Sequence, residues 1–415
     1  MQRSVRPSDI KGTIKAPASK SMMLRSVAAA LLVHGRTTLR NPSFCDDSMA
    51  ALDIARRLGA VIEIKKDEVL LKGGFDPNDD HVDCHESGLC MRMFTPIASL
   101  HNSLITINGS GSLLKRPVGM IEAALMQLGV ECKTNNGLMP VTVKGPLHGG
   151  TAIIGGSITS QLLTGLLMAL PLVKSKSHLV VDDLRSKPYI DMTLQVLSDF
   201  GIEVENMDYQ AFSIPGNQNY HARDHCVEGD WSGASFLLVA AALSGQVTVI
   251  MLQKKSAQSD KAIVEVLRKT GAVVVVKEDC IEVKKNMLKA FEFDATECPD
   301  LFPPLVALAA HCNGITTIKG AERLKHKESD RAVALREEFG KLGVDIRIDG
   351  DEMIIRGGQV KGGKVNSHND HRIAMAAAVT AVAAQSDVII DGAQCVAKSY
   401  PEFFDDMDKI SVPSL

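Results

Sequence analysis

Residues 51–73 read ALDIARRLGAVIEIKKDEVLLKG, an amphipathic helical stretch, a glycine, and two β-rich runs split by a charged turn. Glycine directly after a helix is the usual left-handed stop. The same order returns along the chain. Leu58-Gly59-Ala60 is echoed by Leu128-Gly129-Val130, Phe200-Gly201-Ile202, Thr270-Gly271-Ala272 and Leu342-Gly343-Val344, with glycine spacings of 70, 72, 70 and 72 residues. Regularity of this kind means that one supersecondary unit is used repeatedly.

A second landmark falls between those glycines. Polar clusters run straight into helices that are apolar almost all round, beginning near Ser21, Gly88, Ser160, Ser232, Asp300 and His371, at steps of 67, 72, 72, 68 and 71 residues. A helix without a polar face must be buried. The expected fold is therefore α/β: six repeated units around buried helices, divided into two domains of three units each. The sixth unit ends in the helix-like run FFDDMDKI without room for a hairpin, so the extended opening segment SVRPSDIKGTIKAP is the candidate to complete it. This places residues 1–18 with 229–415 in one domain and 19–228 in the other.

Composition narrows the function. The chain of 415 residues carries a formal charge of −3, which gives no global basic field for nucleic acid. The apolar helices are shorter than the roughly 20 residues that a bilayer requires, and the amino terminus has no apolar signal region. Nine cysteines, none in a CxxC pair, fit a reducing cytoplasm and neither a disulfide framework nor a zinc cage. A cytoplasmic monomer is the expectation.

Chemistry gathers where the buried helices begin. Each start offers unpaired N–H groups and a partial positive charge, a ready site for anions. To these the sequence adds Lys20, Ser21 and Arg25; Gly88 and Arg92; Thr159, Ser160 and Gln161; and Asp370, His371 and Arg372. The loops supply Arg116, Ser186, Tyr189, Lys327 through Arg331, and Lys398. Arginine forks match phosphate and carboxylate edges, so small polyanions are the expected ligands. Asp300 and Glu328 stand among these cations, where they would repel an anion; that placement suits proton transfer. Taken singly, Ser21, Thr159, Ser160 and Asp230 read as N-caps and KHKESDR as a solvated helix start. Their recurrence at equivalent places in a repeat is what the single readings do not predict.

Together PASKSMMLRSVAAAL, ESGLCMR, KRPVGM, SITSQLLTGLLMALPL, SKPYIDMTL, EGDWSGASF, KESDR, NDHRIAMA and AKSYPEFF resemble the 5-enolpyruvylshikimate-3-phosphate synthase family, in order along the whole chain. The resemblance implies a two-domain, inside-out, barrel-like α/β fold and transfer of the enolpyruvyl group of phosphoenolpyruvate to the 5-hydroxyl of shikimate 3-phosphate, with release of phosphate and no metal or organic cofactor. Because both substrates are charged and hydrated, the lobes are expected to close around them. It assigns Lys20, Ser21, Arg25, Thr159, Ser160, Gln161, Ser186, Asp300 and Lys327 to shikimate 3-phosphate. Lys20, Gly88, Arg116, Gln161, Arg331, Arg372 and Lys398 fall to phosphoenolpyruvate. Asp300 would be the base and Glu328 the acid, with Lys20 and His371 assisting.

The chain departs from the family at Glu86-Ser87-Gly88-Leu89-Cys90-Met91-Arg92-Met93, where the family's Asn-Ala-Gly-Thr-Ala-Met-Arg-Pro keeps only its glycine, methionine and arginine. Sensitivity to glyphosate does not follow from the resemblance. The sister transferase that uses UDP-N-acetylglucosamine carries a cysteine in the loop before its Arg-Pro pair, whereas SGSLLKRPVG has none. A non-catalytic anion-binding scaffold would repeat its binding residues, and this chain diversifies them.

Overall fold

The computed structural model describes residues 1–157, 159–325 and 327–413. It divides into two compact units, one of Met1–Ser19 with Glu228–Leu415 and one of Lys20–Val227. All five repeat glycines have positive φ, from 79° to 111°. A side chain at Gly59 would in addition bring its Cβ within 2.5 Å of the Asp76 carbonyl oxygen. Backbone conformation and close approach thus both require glycine there.

In the 20–227 unit, three buried helices lie at Lys20–Leu32, Gly88–Ala98 and Gln161–Ala169. Each repeat then builds one face of sheet. In the second, His81–Asp83 and Leu104–Asn108 run parallel on either side of the Gly88–Ala98 helix. Leu138–Lys144 and Glu131–Asn135 then add antiparallel. The third sheet repeats this with Thr151–Gly155, Ser177–Asp182, Ala211–Ile214 and Glu205–Met207. The first borrows its leading parallel strand, Asp224–Cys226, from the far end of the unit.

The strands alternate buried and exposed residues, as in Leu138–Lys144, because one face packs on the helices and the other meets solvent. Small residues let the helices approach: a Cβ at Gly165 would lie 2.7 Å from the Met93 carbonyl oxygen.

The other unit repeats the scheme around Trp231–Ser244, Phe302–Ala309 and His371–Ala381, helices whose residues are all buried. Their side chains form one continuous core with Ile10, Val247, Ile281, Ile318, Leu335 and Phe403. Burying such side chains contributes about 1.5–3 kcal/mol each before the entropy of ordering the chain is subtracted. The opening segment splits. Gln2–Val5 pairs antiparallel with Val388–Asp391, while Ser8–Lys15 lies parallel to Gly245–Ile250 in a different sheet. Among the described residues, no helix is long and apolar enough to cross a membrane.

Candidate active site

In the unit that holds residues 228–415, the site is organised around Arg331, the first residue of the Arg331–Lys341 helix. Asp330 caps that helix by accepting from the Val333 N–H at 3.3 Å, so the next side chain turns back over the helix start. Arg331 is 0% exposed and its guanidinium donates to three carboxylates. Nε reaches Asp370 at 3.0 Å, Nη1 reaches Asp300 at 3.1 Å, and Nη2 reaches Glu328 at 2.6 Å. Burial disfavours the charge, but Asp370, Glu328 and Asp300 outweigh it and hold the guanidinium firmly protonated.

Asp370 is fully buried and serves two masters. It caps the His371–Ala381 helix through the Arg372 N–H at 2.9 Å, and it accepts from Arg331 and from the Ser329 hydroxyl at 3.1 Å. The His371 ring lies beside it, Nδ1 being 3.9 Å from Oδ1. The chain arrives at this cap through His368 and Asn369, both at positive φ. Lys398 holds that turn by donating to the Asn369 carbonyl at 2.8 Å. From below, the buried Glu338 carboxylate accepts from the Asn366 N–H at 2.8 Å and contacts His368 Nε2 at 2.6 Å.

Asp300 is the meeting point of the cations. Arg372 stands 3.0 Å from Oδ2, Arg331 3.1 Å and Lys327 3.6 Å from Oδ1. Burial pushes its carboxyl up, yet Arg372, Lys327 and Arg331 together hold it well below the usual carboxylate range. Burial likewise lowers Lys327 from its ordinary value, with Asp300 opposing the shift. Such a cluster keeps a carboxylate ionised until arriving anions offset the positive charge around it.

The 20–227 unit groups its residues differently. Arg25 is 1% exposed and donates to the Thr193 hydroxyl at 2.9 Å and to the carbonyls of Ser21 at 2.8 Å and Tyr189 at 3.1 Å. Burial lowers it to about 10. Ser186, buried and in the left-handed conformation at φ 59°, starts the Lys187–Asp199 helix that supplies Tyr189 and Thr193. Lys20 pairs with Asp47 at 3.0 Å.

A second group surrounds Gly88. Arg92 Nη1 is 3.0 Å from Gln161 Oε1 and 3.3 Å from the Gly88 carbonyl. A Cβ on Gly88 would sit 2.9 Å from guanidinium nitrogens of both Arg116 and Arg92. Thr159 accepts from the Gln161 N–H at 3.2 Å, whereas Ser160 occupies the cap position without a capping bond from its side chain. Of the single readings as caps, Asp230 is one, accepting from the Ser232 N–H at 2.9 Å, and Ser21 lies inside its helix.

Sequence reasoning brought forward Asp300, Lys327, Glu328, Arg331, His371, Arg372 and Lys398, and these meet around Asp370 within one unit. It missed Asp260, Thr193 and Asp47. Thr193 carried a faint signal, one helical turn beyond Tyr189. Asp47 looks like any acid in the first turn of a helix. Asp260 lies in a single short helical turn, Ser259–Ala262, too brief to show periodicity, and had no signal of its own.

The family model for EPSP synthase (3-phosphoshikimate 1-carboxyvinyltransferase) matches residues 5–407. A relative from Clostridium novyi (strain NT), called 3-phosphoshikimate 1-carboxyvinyltransferase, is 38% identical over 97% of this chain and 96% of its own. One of the same name from Clostridium kluyveri is 37% identical over 97% and 96%. The solved EPSP synthase of Acinetobacter baumannii superposes with a TM-score of 0.86 at 26% identity, covering 99% of this chain and 98% of that one. With the match running through nearly every repeat, the chain belongs to the EPSP synthase (3-phosphoshikimate 1-carboxyvinyltransferase) family.

Proposed function

We propose that this chain transfers the enolpyruvyl group of phosphoenolpyruvate to the 5-hydroxyl of shikimate 3-phosphate and releases phosphate. The observation that carries the reading is the carboxylate pair Asp300 and Glu328, both bonded to the buried Arg331 within a basic cluster. Asp300 takes the proton of the attacking hydroxyl as its oxygen bonds to C2 of phosphoenolpyruvate, and Glu328 delivers a proton to C3. The tetrahedral intermediate then loses its C–O bond to phosphate and a proton from C3, which restores the double bond. Arg331, Arg372, Lys398, Arg116 and the Gly88 backbone stabilise the phosphoenolpyruvate charges, and Lys20 and Gln161 touch both ligands.

Shikimate 3-phosphate falls to Ser21, Arg25, Thr159, Ser160, Gln161, Ser186 and Lys327. Arrival of two polyanions raises the proton affinity of Asp300 from its depressed value, so the base becomes competent as the substrates bind. Lys20 and His371 assist the proton steps. The protein acts as a monomer in the cytoplasm.

The test is phosphate release from phosphoenolpyruvate with shikimate 3-phosphate or UDP-N-acetylglucosamine as acceptor, for wild type and Asp300→Ala. Release with shikimate 3-phosphate alone, lowered at least about 10³-fold in the variant, supports acceptor and base together. Release with the sugar nucleotide instead would overturn the acceptor.

A further inference from the structure

One buried carboxyl has no part in the steps above. Asp260 is 3% exposed and belongs to the short helical turn Ser259–Ala262. Its Oδ2 accepts the hydroxyl proton of Ser232, the second residue of the Trp231–Ser244 helix. That donation leaves the Ser232 oxygen as an acceptor, and Arg372 Nη2 lies 3.4 Å from it. The same Nη2 lies 3.0 Å from Asp300 Oδ2, and Arg372 Nη1 is 3.3 Å from the Asp300 carbonyl.

The guanidinium is therefore held between the base on one side and a serine oriented by a second acid on the other. The segment bearing Asp260 is itself fixed: Gln258 donates to the Gly229 carbonyl at 2.8 Å and accepts from the Trp231 N–H at 3.0 Å.

We infer that Asp260 is a positioning residue for the transfer reaction, acting through Ser232 to set the plane of the Arg372 guanidinium that faces phosphoenolpyruvate. The inference rests on the proposed reaction, in which Arg372 binds that substrate. Electrostatics agree with the geometry. Burial first, and then the charge of Asp300, push Asp260 up to about 7, with Arg372 and the Ser232 bond opposing and Asp230 adding to the rise. Of the two acids Asp300 is the one that stays ionised, which keeps it available as the base.

Steady-state kinetics of Asp260→Ala, Ser232→Ala and the double variant test the relay. Each single change is expected to raise KM for phosphoenolpyruvate about tenfold, because a guanidinium that loses the oriented Ser232 oxygen is no longer aligned before the substrate arrives. KM for shikimate 3-phosphate should stay within about twofold, and the double variant should be no worse than Asp260→Ala, since both changes cut one path. A merely structural role would move both KM values or lower the yield of folded protein without that split.

Unchanged KM for phosphoenolpyruvate, or effects of the two changes that multiply, overturns the relay. If Asp260→Ala does not fold, Ser232→Ala decides alone by the same criterion. Wild-type protein that releases no phosphate with shikimate 3-phosphate would instead sink the reaction on which the relay rests, an outcome read before any variant is made.

Discussion

Arg331 and Arg25 are both almost entirely withdrawn from solvent, one in each unit, yet their surroundings are opposite. Arg331 is ringed by Asp300, Glu328 and Asp370, which hold it charged against the cost of burial. Arg25 is held by a hydroxyl and two backbone carbonyls, and burial lowers it to about 10. Carboxylates neutralise a cation and are themselves tuned by it, which suits proton transfer. Neutral acceptors fix a cation in place and leave its charge to a ligand. One repeated unit thus serves two purposes, according to what stands opposite its arginine.

Stability separates the two most sharply. Arg331→Met takes its arginine from the fully buried Asp370 and removes one cation from Asp300 and Glu328, and should cost about 3–5 kcal/mol by denaturant unfolding. Arg25→Met leaves only neutral acceptors unmade and should cost about 1–3 kcal/mol. Equal losses would break the comparison.

Ligand affinity sharpens it. On the proposed assignment of Arg25 to shikimate 3-phosphate, Arg25→Met should raise KM for that substrate about 30-fold, or about 2 kcal/mol, with KM for phosphoenolpyruvate within about threefold. A smaller step is Gly88→Ala. Its methyl would meet Arg116 and Arg92 nitrogens 2.9 Å away. Because these are the ends of flexible side chains, the protein should fold while KM for phosphoenolpyruvate rises about tenfold. A change confined to the unfolding midpoint would place the two arginines away from that ligand.

The smallest expected effect is a dependence on pH. Asp260 is raised to about 7 in the folded protein, so the fold binds its proton more tightly than the unfolded chain does. The corresponding stability is fully present below the ordinary carboxylate value and is lost as pH rises through about 7. Asp300, held low, has the opposite sign and loses its contribution only on strong acidification. Asp260→Asn should therefore reduce the fall in thermal midpoint between about pH 5 and pH 8 by roughly 2–4 °C. An identical fall in wild type and variant would contradict the assignment of the proton to Asp260.

Much of this was legible along the chain. The glycine beat marked helix ends because a left-handed residue there excludes other side chains, and positive φ at Gly59, Gly129, Gly201, Gly271 and Gly343 is the structural counterpart. The buried helices were legible because an all-apolar helix has nowhere else to go. Asp300 and Arg372 stood out as charges at the starts of such helices, and Glu328 and Arg331 as members of a charged loop. Asp260 did not, because a single acid in one short helical turn carries no periodicity. Nor did the division of the opening segment, whose Gln2–Val5 and Ser8–Lys15 strands join different sheets, since strand pairing depends on distant edges.

The sequence by itself determined the repeat, the α/β class and the buried helices, carried by local spacing and residue type, and its ordered motifs carried the resemblance to the family. Tertiary structure alone decided which acid faces which cation. Arg331 reaches Glu328 three residues away but Asp300 and Asp370 across 31 and 39 residues. Side chains so far apart in the chain are brought together only when the helix starts converge. The charge state of each then follows from burial and neighbours, which no stretch of sequence contains.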